Sequence, residues 1–183
     1  MALEAAMRVF WERGYDSSSL ATLAAEMGVS MPSLYAAFGN KEALFREAVE
    51  LYDSTAGAAA ERALLTGATA EAGVEAMLRS NADMFSDPGT PSGCLIVLGG
   101  GTWMPDDEPV AQFLSEHRRT DRNLIADRIR DGAAAGELPT DSDADSLAAF
   151  FASVINGMAI LARDGASRAE LHAVVDLAMT SWP

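Results

Sequence analysis

Cysteine occurs once, at Cys94, so no disulfide can form within the chain, and a reducing compartment is the expected setting. Histidine occurs twice, at His117 and His172, each alone in its neighbourhood and without a second ligand type at metal-binding spacing. No metal and no other cofactor is expected. Lysine occurs once, at Lys41, and 13 basic side chains face 27 acidic ones, for a net charge of −14. Taken over the whole chain, that deficit disfavours a polyanionic partner such as nucleic acid. No uninterrupted apolar run approaches the ~18 residues of a membrane span, and no secretory h-region is read at the start. The expectation is a cytoplasmic protein without a membrane partner. No segment alternates with period two for long enough to make a strand.

What is present is helical periodicity. Half of the 183 residues (49 %) are apolar, which excludes wholesale disorder and suffices for a buried core. Leu3, Ala6, Met7 and Phe10 share one face of a first helix that Gly14 stops. Leu20, Leu23, Ala24 and Met27 mark a short second helix, with Ser18 or Ser19 available as its cap. Gly28 ends it, Ser30 caps a third helix with Pro32 in its first turn, and Leu34 and Phe38 point inward. After Gly39, Asn40 caps a fourth helix carrying Leu44, Phe45, Ala48, Val49 and Tyr52 and running on toward Leu65. Longer helices follow over about 69–85 and 108–135, with a short apolar piece at 93–98. Two amphipathic helices finish the chain, the last opened by the capping box Ser167-x-x-Glu170. The fold class is all-α: a head of three short helices at 1–46, then a domain of longer helices at 47–183.

The second and third helices, joined by Met27-Gly28-Val29-Ser30, have helix-turn-helix spacing over about residues 19–38. Glycine lets the chain reverse at positive φ, and the apolar Val29 packs beneath both helices. The outer face of the third helix offers Ser30, Met31, Pro32, Ser33, Tyr35 and Ala36, short enough to enter a major groove about 12 Å wide. Small-residue turns between short helices also occur in bundles that never touch DNA.

The residues go further. Gly14-Tyr15, Ser19-Leu20-x-x-Leu23-Ala24-x-x-Met27-Gly28-Val29-Ser30 and Ser33-Leu34-Tyr35-x-x-Phe38-x-Asn40-Lys41-Glu42-x-Leu44 together resemble the head of the tetracycline-repressor (TetR) family of bacterial regulators. The match runs over about 2–52, and Pro91-Ser92-Gly93-Cys94-Leu95 is similar to a segment of some members. The resemblance implies a homodimeric repressor on a near-palindromic double-stranded DNA operator, released by a small, mainly apolar effector. It implies a phosphate contact from the Ser19 hydroxyl, base-edge and backbone contacts from Ser30, Met31, Pro32 and Ser33, with Ala36 on the same face. Tyr35 then hydrogen-bonds or packs against the sugar-phosphate chain, and Lys41, at a helix N-terminus, attracts one phosphate. Members commonly carry a basic residue where Met31 stands, an aromatic or histidine at Ala37 and a lysine at Gly39, so fewer charged contacts and a shallower salt dependence are expected. Members also have a basic arm ahead of the first helix, whereas this sequence opens inside that helix.

The acidity is uneven: residues 1–52 hold four basic and seven acidic groups (net −3), and the rest nine and twenty (net −11). Asp106-Asp107-Glu108 reads as a helix start, Gly99-Gly100-Gly101 as a helix break, and Cys94 as a small buried hydrophobe. Met77, Met84, Phe85, Leu95, Trp103, Met104, Phe113, Leu124 and Asn156 are candidates to line a ligand cavity, although plain core packing explains them equally. Phe150, Phe151, Val154, Ile155 and Met158, with Leu171, Val174, Val175 and Ala178, form stripes wider than one core needs and suit a dimer interface. Two rival readings stand beside the regulator: a helical enzyme or carrier that keeps the helix-turn-helix only as scaffold, and a regulator whose second domain binds a protein.

Overall fold

The computed structural model describes residues 1–100 and 109–183, and every regular element among them is a helix. The head consists of α1 (Ala2–Arg13), α2 (Leu20–Met27) and α3 (Met31–Phe38), and α4 (Lys41–Tyr52) leads out of it. Caps set the boundaries. Ser19 accepts from the Thr22 N–H, Ser30 from that of Ser33 and Asn40 from that of Ala43, so each short helix starts where a side chain satisfies an orphan donor. Ser18 is buried instead and donates its hydroxyl to the Gly14 carbonyl, 2.6 Å away. The head's core is aromatic: Phe10 meets Phe45 edge to face at 5.0 Å, and Tyr15 meets Phe45 at 5.1 Å.

The expected run from α4 toward Leu65 is interrupted. Asp53–Gly57 widens into a π turn before α5 (Ala58–Thr66). Ser54 donates its hydroxyl to the carbonyls of Glu50 and Leu51, and Thr55 donates to that of Leu51, a competition that loosens the ladder at this point. The body adds α6 (Ala70–Phe85), α7 (Leu95–Leu98), α8 (Pro109–Ala134), α9 (Ala144–Arg163) and α10 (Arg168–Met179). The capping box of α10 is formed as expected, and α9 packs on α6, α8 and α10. Asp145, Ser153 and Asn156 interrupt the apolar sequence of α9, so it contains no long unbroken apolar run. Averaged over an 18-residue window it is nonetheless apolar enough, by length and composition alone, to cross a membrane.

Head and body are joined by main-chain acceptors. Trp11 Nε1 donates to the Gly93 carbonyl (2.9 Å), and the Tyr15 N–H donates to that of Gly99 (2.8 Å). Arg163, at the end of α9, donates to the carbonyls of Trp11 and Glu12 (2.7 Å each) and of Ser92 (3.0 Å). A cation thus satisfies the orphan carbonyls at the negative end of α1. The expected helix start at Asp106-Asp107-Glu108, Gly101 of the glycine break, and the pocket candidates Trp103 and Met104 lie outside the described residues.

Candidate nucleic-acid interface and ligand cavity

Gly28 sits in the left-handed region (φ 67°, ψ 31°), the conformation that closes α2 and turns the chain into α3. The Val29 N–H reaches back to the Ala24 carbonyl at 3.0 Å, and its side chain packs against the head's core. Within α3 only Leu34 is buried. One anchor on an eight-residue helix leaves the other faces outward, which a helix serving only the core would not do. Ser30, Pro32, Ser33 and Ala36 are exposed, Tyr35 is 48 % exposed, and Met31 is half-buried against the core. Ser30 and Ser33 share a hydrogen bond between hydroxyls (2.8 Å), as do Ser19 and Thr22 (2.8 Å). Each hydroxyl already serves its helix start and keeps capacity for one more partner.

Lys41 Nζ lies 4.2 Å from the centre of the Tyr15 ring, whose face attracts the cation. Burial lowers the pKa of Lys41, and the nearby Asp16 carboxylate opposes that shift. Arg46, on α4, pairs with Glu42 of the same helix at 2.9 Å and reaches α8 by stacking on Phe113.

The body encloses a cavity of about 530 Å³. Met77, Met84, Phe113, Leu124 and Asn156 line it. Phe85 and Leu95, expected beside them, are fully buried in the core away from it, because their positions turn them into the α6 and α7 packing. Sequence reasoning missed Tyr52, Asp53, Glu61, Asn81, Cys94, His117, Arg118 and Asp121, which also line the wall. A signal existed on α8: His117, Asp121, Leu124 and Ile125 recur at helical spacing on one face, polar groups mixed with apolar ones.

The wall has its own electrostatics. His117 Nδ1 lies 2.8 Å from Asp53, and this hydrogen bond raises the histidine's pKa. Tyr52 donates its hydroxyl to Cys94 Sγ (3.4 Å), and burial pushes the Cys94 thiol up, away from the reactive thiolate. Asp121 keeps accessible surface at the cavity's mouth, yet desolvation, with Asp53 and Glu61 adding like charge, raises its carboxyl to about 6, against His117 and Arg118. Below its ordinary value of 3.8 the carboxyl is protonated folded or unfolded and contributes nothing. As pH rises through about 6 the fold must hold a penalised carboxylate. Asp121→Asn is therefore expected to stabilise the protein at pH 7.5 by about 1 kcal/mol once solvent screening is allowed for. The gain closes toward pH 4, read as urea midpoints at both pH values; an unchanged midpoint at pH 7.5 would mean the carboxylate is fully solvated.

The nine dimer candidates divide. Phe151, Met158, Leu171, Val175 and Ala178 are buried in the chain's own core, so their side chains serve its packing. Phe150, Val154, Ile155 and Val174 keep accessible surface.

An outward, capped second helix behind a left-handed turn, carried on a cavity-bearing helical body, defines a helix-turn-helix DNA-binding regulator. Residues 2–48 match the model of bacterial regulatory proteins of the tetR family, and residues 70–178 that of the tetracyclin repressor-like C-terminal domain. The chain belongs to the TetR family. It is 33 % identical to the HTH-type transcriptional repressor ComR of Escherichia coli K12 over 183 residues, 100 % of this chain and 87 % of that protein. It is 28 % identical to the repressor BdcR of the same organism, covering 97 % of this chain and 85 % of that one. Among solved structures, a cysteine mutant of the TetR-family regulator CifR complexed with 26-base-pair operator DNA is 42 % identical, with a TM-score of 0.95 over 100 % of this chain and 95 % of that chain.

Proposed function

We propose that the chain is a cytoplasmic, ligand-released repressor that binds a near-palindromic operator as a homodimer and acts through binding, not turnover. The observation that carries this is α3: eight residues, one buried anchor, and an outward face of short side chains beside Lys41. The operator complex of the similar CifR supports it. In this reading the head ends near residue 46, within α4, and the rest senses ligand and dimerises. Two heads would enter major grooves about 34–36 Å apart. The apolar surface left on α9 and α10, with Phe150 39 %, Ile160 50 % and Leu177 71 % exposed, supports a partner helix pair there.

The cavity would take a small molecule with a mainly apolar body. Its wall residue Tyr52 meets Trp11 of α1 edge to face at 4.8 Å, so a ligand that shifts this wall reaches the head. Release then follows from different affinities for the two head spacings. The test is a gel shift with the DNA flanking its own gene at two salt concentrations. Tyr35→Ala and Lys41→Ala are each expected to weaken binding about tenfold, and Lys41→Ala to lower the salt slope by about one. Full affinity in both variants would overturn the contact assignment, and no shift at all would favour the enzyme or carrier.

A further inference from the structure

The cavity's floor and its rim differ in chemistry. Leu64, Met77, Ile96 and Ile125, all buried, make the floor apolar. At the rim stand Glu61, Glu116 and Asp121, all exposed, with Asp53 behind them. The basic groups there are committed: His117 binds Asp53, and Arg118 donates to the Ile96 carbonyl at 2.8 Å. Among the described residues Asp121 makes no hydrogen bond or ion pair, and its ionisation is disfavoured by its surroundings. An independent feature lies deeper. Asn81, 8 % exposed, also lines the cavity and donates its amide N–H to the Met77 carbonyl (3.1 Å), and its carboxamide oxygen keeps its acceptor capacity, with no protein partner among the described residues. Floor, rim and amide oxygen want the same thing: an apolar body bearing positive charge or N–H donors.

We infer that the cavity selects organic cations, ammonium or protonated amine groups on an apolar body, over neutral and anionic molecules of the same shape. This rests on reading the cavity as the effector site and specifies what enters it. A cation at the mouth would relieve the repulsion among Asp53, Glu61 and Asp121, whereas an anion would add to it. With a volume of about 530 Å³ the space suits a ligand of drug size rather than an inorganic ion.

The test uses three probes with one apolar body, titrated calorimetrically into the full chain at pH 7.5: para-tert-butylphenyltrimethylammonium, para-tert-butylbenzamide and para-tert-butylbenzoate. The ammonium is expected to bind about tenfold tighter than the amide, and the benzoate weakest. In the double variant Glu61→Gln/Asp121→Asn the ammonium's advantage is expected to fall to about twofold or less while the amide's affinity holds, which also shows that the variant is folded. Equal affinity for ammonium and amide, or preference for benzoate, would overturn the charge selectivity and leave the effector cavity standing. An advantage that survives the double variant would place the cation elsewhere and overturn it too. No binding by any probe would reject the cavity as an effector site, and the selectivity with it.

Discussion

Gly93→Ala is expected to cost about 3 kcal/mol of stability, a fall of about 10 °C in Tm. Gly93 has φ 81°, where an L side chain is strained, and a Cβ there would stand 2.6 Å from the Ala159 carbonyl of α9 and 2.7 Å from a Leu98 methyl. The first of these is backbone and cannot rotate away. The site also receives the Trp11 indole on its own carbonyl, so displacing it disturbs the seat of α1 on the body. Gly136→Ala is the control: φ is 78° and nothing lies within 4 Å, so only the backbone penalty of about 1 kcal/mol remains. Urea and thermal unfolding of both variants measure the difference, which isolates the close approach of α9. Equal losses would mean that α9 yields at no cost and that the junction is looser than its geometry.

The contrast between head and body explains what the sequence revealed. Ser19, Gly28, Ser30 and Asn40 act on groups within five residues of themselves, and so their meaning is local and legible as a string. The cavity is different. It gathers Tyr52 from α4, Asn81 from α6, Asp121 from α8 and Asn156 from α9, residues whose proximity only the packing creates. Asp121 and His117 look, along α8, like any solvated helix face. The same limit divided the dimer candidates. Phe150 and Phe151 are neighbours in sequence, yet one is accessible and the other sealed, because periodicity finds an apolar stripe without saying which edge faces the chain's own core.

Net charge also changes meaning once placed. The −14 of the whole chain disfavoured nucleic acid, yet most of that excess belongs to residues beyond the head. Within the head, Arg8 donates to the Gly89 carbonyl and Arg46 to Glu42, so charge count and available charge differ there. Lys41 is held over the Tyr15 ring at the start of α4, so under the proposed reading it would meet a phosphate with little rotamer freedom left to lose. Long-range repulsion slows approach and makes it salt-sensitive; the local surface decides what is bound.

That placement depends on Phe45, and Phe45→Ala is expected to destabilise the protein by about 4 kcal/mol. Its ring is fully buried and meets both Phe10 and Tyr15. Removing it opens a cavity beneath α1 and takes away the support of the Tyr15 ring on which Lys41 rests. Phe45→Leu keeps most of the volume and is expected to cost only about 1–1.5 kcal/mol, remaining folded at 4 °C. The leucine variant therefore separates folding from positioning. Its affinity for the DNA flanking its own gene should fall several-fold with the salt slope shifted toward that of Lys41→Ala, because a loosened Tyr15 no longer fixes the ammonium. A loss below about 1 kcal/mol in Phe45→Ala would show that the aromatic cluster does not hold the head together. Unchanged affinity and slope in Phe45→Leu would show instead that Lys41 finds its phosphate without the ring beneath it.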